Sequence, residues 1–388
     1  MTSLSLSSSL FWWSVTWVTW VYVGYPIVAY LANRLFGKSI RQNIFTPRVS
    51  ILIAAHNEES CLEATLRNKL ELDYPPDQLE ILVVSDSSTD QTESIVASIA
   101  ESSPIPITLI RQENHAGKTA ALNLAVPQAT GTILVFSDAN SIYAPDAVAR
   151  LVENFSDSRV GYVTGRMLYQ TETDTGVAEG CTAYMSYENF LREAETGIGS
   201  VIGVDGGIDA VRADLFVTMA ADDLPDFILP LTVAERGYVV AYDQRAKLYE
   251  AALDSTTDGF NMRVRGSLRA MWGLWEKRHL LNPARYGLLA LQLWSHKVLR
   301  YLCFIPAFAL WPLSALLSGS HVFYAVAFAL QTIVYLLILF RVAEQSDGLL
   351  PKLLNLARYL TLLNLACAIA LTKFLRGERK TIWKPRTG

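Results

Sequence analysis

Residues 49–59 read V-S-I-L-I-A-A-H-N-E-E. Val49 to Ala55 is a continuous apolar run, as a strand buried on both faces would be, and it ends in the polar cluster His56-Asn57-Glu58. A helix is expected from Glu59 to Leu70, and Pro75-Pro76 then breaks the chain. The pattern repeats. A strand over Leu79–Val84 ends at Ser85-Asp86, and a helix starts near Asp90. A strand over Pro106–Ile110 leads through His115-Ala116-Gly117 into a helix over 118–125. A strand over Thr132–Phe136 ends at Ser137-Asp138. Strands alternating with helices predict an α/β domain with a doubly wound parallel sheet. Such sheets bind ligands at the carboxyl ends of their strands, where His56-Asn57-Glu58, Asp86 and Asp138 all fall.

Each cluster has a plain reading beside the chemical one. Asp86, in S-D-S-S-T-D, suits an Asx turn and a helix cap. Asp138 and Asn140, in S-D-A-N, suit a turn, but also a hard divalent cation that holds phosphate oxygens. Gly117-Lys118 lacks the rest of a phosphate loop, and no G-x-G-x-x-G opens a helix after a strand. No G-x-S-x-G or H-E-x-x-H supports a hydrolase. Gly203 to Arg212 reads G-V-D-G-G-I-D-A-V-R, whose glycines form a hairpin or let backbone approach a ligand. Asp226, within D-D-L-P-D-F-I-L-P-L, is either a helix cap or a carboxylate placed to take a proton from a hydroxyl.

The flanks are of a different character. The 388 residues are 51% hydrophobic and only 18% charged, with a mean hydropathy of +0.24, which favours a membrane protein. A net charge of −4 argues against a nucleic-acid binder. Cys61, Cys181, Cys303 and Cys367 are dispersed and read as reduced packing residues. Phe11 to Ala32 is apolar and tryptophan-rich, an expected uncleaved anchor. Arg34, Lys38, Arg41 and Arg48 follow it and place the next domain in the cytosol at an inner membrane. Tyr301 to Phe340 holds no Asp, Glu, Lys or Arg and predicts a helical hairpin turning at Ser318-Gly319-Ser320.

A third apolar segment, Leu353 to Leu375, has a charge-free core of about 21 Å, short of the ~30 Å hydrocarbon layer. It is expected to be re-entrant or to lie in the interface. Three full crossings would otherwise put the basic tail (Lys373, Arg376, Arg379, Lys380, Lys384, Arg386) outside, against the positive-inside rule. Between the regions, residues 260–297 interleave arginine and lysine with tryptophan, as interfacial helices do. The expected division is an anchor over 1–40, a soluble domain over 41–258, interface helices over 259–297, a membrane region over 298–376 and a basic tail over 377–388.

Six stretches in this order resemble a membrane-embedded family 2 glycosyltransferase with a GT-A fold. They are residues 49–59, V-V-S-D-S-S-T-D (83–90), G-K-T-A-A-L-N (117–123), V-F-S-D-A-N (135–140), D-G-G-I-D-A-V-R (205–212) and P-D-F-I-L-P-L (225–231). The resemblance, which extends to poly-N-acetylglucosamine, cellulose and hyaluronan synthase-like enzymes, implies a nucleotide-sugar donor, a UDP-sugar first. It implies Mn2+ or Mg2+ at Asp138 and Asn140. Asn57, Glu58, Asp86, Lys118, Asp138 and Arg265 would bind the donor, and Asp226 would be the general base of an inverting transfer. Asp205, Gly206 and Gly207 would lie on the acceptor side.

Three positions depart from the pattern. Met262 and Gly266 replace the glutamine and tryptophan of the processive Q-x-x-R-W motif. Pro225 stands where an acid is usual, which keeps Asp222 and Asp223 in play as the base. The implied acceptor is a membrane glycan or lipid, in exopolysaccharide or glycolipid synthesis, with polysaccharide-export subunits as further partners. An inactive scaffold subunit of an export complex is the competing reading.

Overall fold

The computed structural model describes residues 2–170, 176–251, 256–340 and 348–379. It begins with α1 (Thr2–Thr19), which runs through a π-turn at Trp20–Gly24 into α2 (Tyr25–Phe36). The expected anchor lies inside this helix. The sheet domain follows as β1 (Val49–Ala55), α3 (Leu62–Leu70), β2 (Leu79–Asp86), α4 (Thr92–Ser102), β3 (Ile107–Gln112) and α5 (Lys118–Ala125). It continues as β4 (Ile133–Asp138), β5 (Ile142–Tyr143), α6 (Ala147–Glu153), β6 (Val160–Gln170) and α7 (Gly176–Ile198). It ends with β7 (Ile208–Arg212), α8 (Pro225–Glu235) and β8 (Val239–Ala251). The remaining helices are α9 (Thr256–Glu276), α10 (Pro283–Leu293), a π-turn at Trp294–Val298, α11 (Leu299–Tyr301), α12 (Phe304–Leu317), α13 (Val322–Leu339) and α14 (Leu349–Leu375).

The strand order is β3-β2-β1-β4-β7-β6-β8-β5. The first four strands are parallel, as expected. Along β1, Val49, Ile51, Ile53 and Ala55 face one core with α3, α4 and α6. Leu52 and Ala54 face a second core with α5 and α8. Both faces are covered, which is why the run is apolar at every position but Ser50, whose hydroxyl donates to Glu80 Oε1. Each fully buried Ile, Leu or Val here contributes about 1.5–3 kcal/mol.

Past β4, beyond the four strands read from the sequence, the sheet becomes mixed. β7 joins antiparallel, β6 pairs antiparallel with β7, and β8 returns parallel to β6. The chain reaches β7 from the end of α7 through an irregular loop, so it re-enters the sheet in the opposite direction to a βαβ crossover.

The apolar flanks also differ in detail from expectation. The hairpin turns where predicted, between α12 and α13. However, α12 has only 14 residues, about 21 Å. It continues the segment Pro283–Tyr301 across a 54° bend. The Trp12 indole donates to the Tyr324 hydroxyl (3.3 Å) and the Trp17 indole to the Leu299 carbonyl (2.9 Å), so α12 runs antiparallel to α1. The Trp311 indole donates to Thr332 Oγ1 (2.9 Å), so α13 runs back along α12.

Residues Leu6–Phe36, Val322–Leu339 and Leu349–Leu375 form helices long and apolar enough to cross a membrane. Yet α14 lies along α9. Tyr359 meets Arg263, Cys367 meets Ser267 and Phe374 meets Trp272. Its end returns to the sheet domain, where Arg379 pairs with Asp222 and the Trp272 indole donates to the Glu378 carbonyl (2.9 Å). Lys380, Lys384 and Arg386 of the basic tail lie outside the described residues.

Among the buried polar residues of the central strands, Asp209 stands apart. Asp209 on β7 is buried, and neither carboxyl oxygen has a well-formed hydrogen bond. Burial, and then the nearby Asp226 carboxylate, push its pKa up to about 7. The unfolded chain would ionise this group near 3.9. Folding therefore favours its neutral form, and the stability it allows falls as pH rises from about 4 through about 7. Asp209→Asn is expected to raise the unfolding free energy at pH 8 by on the order of 2 kcal/mol and to change it little at pH 4. Thermal unfolding at both pH values tests this, and an equal change at the two would contradict it.

Candidate active site

β2 and β4 flank β1, with Ser85 level with Ala55 and Asp138 level with Ala54. Asp86 and Asp138 therefore end nearby strands on one edge, about 10 Å apart. Between them α5 starts at Lys118, just after Gly117 at φ 94°. The Lys118 ammonium donates to Asp138 Oδ1 (2.6 Å) and to the Gly206 carbonyl (3.1 Å). It also lies 3.8 Å from Asp226 Oδ1. Burial alone would lower its pKa, but Asp138 and Asp226 outweigh that and hold it above the usual lysine range. Asp226 sits in the first turn of α8, where the helix dipole favours a carboxylate. Gly206 adopts φ +81°, and a Cβ there would run into the Asp226 carboxylate. Glycine is required at this position for both reasons.

Asp86 is fully buried. It accepts from the backbone N–H groups of Ala116 (2.9 Å) and Gly117 (2.8 Å), from His115 Nδ1 (2.9 Å) and from Gln112. Its carboxylate thus fixes the loop that aims Lys118. Asn57, at φ 55°, accepts the Thr89 N–H at Oδ1 (2.8 Å). The Glu58 N–H donates to Thr92 Oγ1 (2.9 Å). Both residues build the paired β1 and β2 loops beside Asp86.

The three candidate bases separate. Asp222 pairs with Arg379, and Asp223 accepts the Ala220 N–H (2.8 Å). Asp226 alone of the three lies beside Lys118. On the expected acceptor side, Asp205 is held by Arg192 through two hydrogen bonds of 2.6 Å, so its carboxylate braces the loop. The Gly207 carbonyl accepts from the Tyr143 hydroxyl (2.9 Å). Arg265 lies one turn before Arg269 on α9.

Several contributors were not anticipated. The Arg269 guanidinium donates to Thr119 Oγ1 (3.2 Å) and to the Asp223 carbonyl, beside the start of α8. The His56 and His115 rings stack at 3.8 Å. Buried Lys69 donates to the Ser141 carbonyl (2.6 Å), just after Asp138-Ala139-Asn140. Asn140 Nδ2 donates to Glu250 Oε1 (3.1 Å).

Asp138 and the Asn140 amide oxygen are hard donors that fit a divalent cation. Among the described residues no three His, Cys, Asp or Glu side chains converge as ligands. A cation here would draw further ligands from phosphate oxygens and water, as Mg2+ and Mn2+ commonly do.

Comparison with known proteins bears on the family and the fold. Residues 50–196 match the family described as Glycosyl transferase family 2. The chain is 30% identical over 187 residues to a beta-monoglucosyldiacylglycerol synthase of Nostoc sp., covering 48% of this chain and 39% of that protein. It is 27% identical over 222 residues to a poly-beta-1,6-N-acetyl-D-glucosamine synthase of Staphylococcus aureus, covering 56% and 53%. It thus spans about half or less of the length of these curated relatives. Among solved structures it is similar to a mannosyltransferase from Pyrobaculum calidifontis in complex with GDP-Man and Mn2+. That likeness has a TM-score of 0.72 at 22% identity over 95% of this chain and 99% of the other, and it shows a shared fold. Residues 50–196 of this chain are a glycosyltransferase family 2 domain, and the fold that carries it is GT-A.

Proposed function

We propose that this chain is an inverting glycosyltransferase that moves a sugar from a nucleotide-sugar, a UDP-sugar first, to a glycan or lipid acceptor at a membrane. The observation that carries the reading is the meeting of Lys118, Asp138 and Asp226 at the carboxyl edge of the sheet. Neutralising a diphosphate needs cationic groups where leaving-group charge grows, and deprotonating a hydroxyl needs a carboxylate nearby.

In this reading the donor lies across the strand ends, with its base towards Asn57, Glu58 and Asp86. Asp138 and Asn140 would hold Mn2+ or Mg2+, which supplies Lewis-acid neutralisation of the diphosphate when bound. Lys118 moves from Asp138 onto the phosphates, and Arg265 with Arg269 adds positive charge from α9. Asp226 takes the proton from the acceptor hydroxyl. The oxygen attacks the anomeric carbon in line, the bond to the diphosphate breaks, and the configuration inverts. Gly206 leaves the Asp226 carboxylate uncovered on the side where the acceptor would enter.

The helices suit a membrane setting. The long helix Leu6–Phe36, the bent pair Pro283–Leu317 and α13 would cross, while α14 lies along the surface on α9. That path returns the C-terminus to the side of the sheet domain, which the Arg379–Asp222 pair supports. It also satisfies the positive-inside rule that three full crossings after the domain would break.

Two outcomes are expected. Asp226→Asn should lower transfer by about 10²–10⁴-fold while nucleotide binding, read by calorimetry, is unchanged. Full turnover in that variant would remove the assignment. Fusions at the C-terminus and within the sheet domain should report the same side of the membrane, and opposite sides would contradict the proposed path.

A further inference from the structure

We propose that a second polar site, behind the acceptor-side loop, receives the phosphate of a lipid headgroup. A cavity of about 60 Å³ is lined by Tyr22, Tyr184, Glu188, His296, Lys297 and Arg300, together with residues of α14. It has room for roughly four waters, the scale of a phosphate group. Both π-turns among the described residues open onto it. Tyr22 lies in Trp20–Gly24, and His296 and Lys297 lie in Trp294–Val298. The Trp20 indole donates to Ser295 Oγ (3.3 Å) and ties the two turns together. Such single π-turns recur where a helix serves a ligand.

The unpartnered donors of the cavity point to an anion. Arg300 pairs with Glu188 at 2.5 Å. His296 lies 2.8 Å from Glu195 and 3.3 Å from Glu188. Arg192 pairs with Asp205. Each of these three carboxylates thus faces a basic side chain, and Lys297 is left without one. Among the described residues it has no ion-pair partner; its ammonium lies 5.9 Å from the Phe227 ring centroid. Arg300 is nine-tenths buried, and its Nε and Nη2 lack hydrogen-bond acceptors.

An uncompensated cation among apolar helices is costly unless something occupies it. The space for Lys297 is kept open by Gly203, where a Cβ would lie 2.5 Å from the Lys297 ammonium. That glycine begins the loop whose Gly206 meets Asp226, so an anion held here sits directly behind the candidate active site. A phosphate carried on a lipid matches the chemistry, because two of the helices that would cross the bilayer, at Tyr22 and at His296–Arg300, meet α7 and α14 at the cavity. This rests on the proposed membrane setting but not on sugar transfer.

Thermal unfolding of the full chain in uncharged detergent tests it. The probes are short-chain phosphatidic acid, the matching diacylglycerol and inorganic phosphate. Phosphatidic acid should raise the midpoint by about 3 °C or more, with no rise from diacylglycerol and a smaller one from inorganic phosphate. Lys297→Met should lose the rise while its own unliganded midpoint is equal or higher, because the unpaired charge is gone. Lys297→Arg should keep the rise. UDP binding measured alongside should be the same in all forms, so loss of the donor reading would leave this result intact. An equal rise with inorganic phosphate would overturn the lipid source. No rise with phosphatidic acid, or an undiminished rise in Lys297→Met, would overturn the site.

Discussion

The Lys118 ammonium is the point on which the sheet domain turns. It touches Asp138 from the parallel half of the sheet, the Gly206 carbonyl from the loop entering the mixed half, and approaches Asp226 from α8. Without a cation there, Asp138 and Asp226 would face each other across a partly desolvated cleft with only repulsion between them. Asp86 supports this arrangement from below by binding the loop that ends at Gly117. A contact that one mobile ammonium makes with two carboxylates is also easily exchanged for contacts to phosphate. The same interaction that bridges the two carboxylates is therefore the one a donor would replace.

The helical layer is held to the sheet domain by polar ties rather than by apolar packing alone. The Tyr25 hydroxyl donates to Glu195 at 2.5 Å, linking α2 to α7. His296 links the same Glu195 to the second π-turn, and the Gln292 amide donates to the Ser200 carbonyl (3.1 Å). Breaking one partner of such a buried pair leaves the other unpaired, at a cost of several kcal/mol. The Arg192 guanidinium extends these ties to the Gly203 carbonyl (2.9 Å), at the start of the loop Gly203–Gly207. Occupancy of the helical cavity and the position of Asp226 would be read by the same segment.

β1, β2 and β4 were legible because burial on both faces favours apolar residues, as at every position of Val49–Ala55 but Ser50. The strand-end acids were legible because Asp86 and Asp138 each close such a run. β6 and β8 were not. In β8, Asp243 and Arg245 pair with each other, and the strand carries polar residues that read as loop. Lys69 was hidden for a similar reason. A lysine on an amphipathic helix reads as solvated, yet its ammonium caps the Ser141 carbonyl and lies 3.5 Å from the Tyr143 ring centroid. The basic residues of α9 suggested a membrane surface, and Arg269 instead turns inward to Asp223. The stacked His56 and His115 meet only through the tertiary pairing of β1, β2 and β3. The course of α14 followed from its neighbours α7 and α9, information no window of its own sequence holds.

A cryo-EM structure of the full chain with UDP and Mn2+ tests the account most directly. It should show the diphosphate between Lys118 and Asp138, the metal on Asp138 and Asn140, the uracil on the Asn57 and Asp86 side, and Asp226 open towards Gly206. Nucleotide bound elsewhere, or bound with the Lys118–Asp138 contact unchanged and Asp226 turned away, would contradict it.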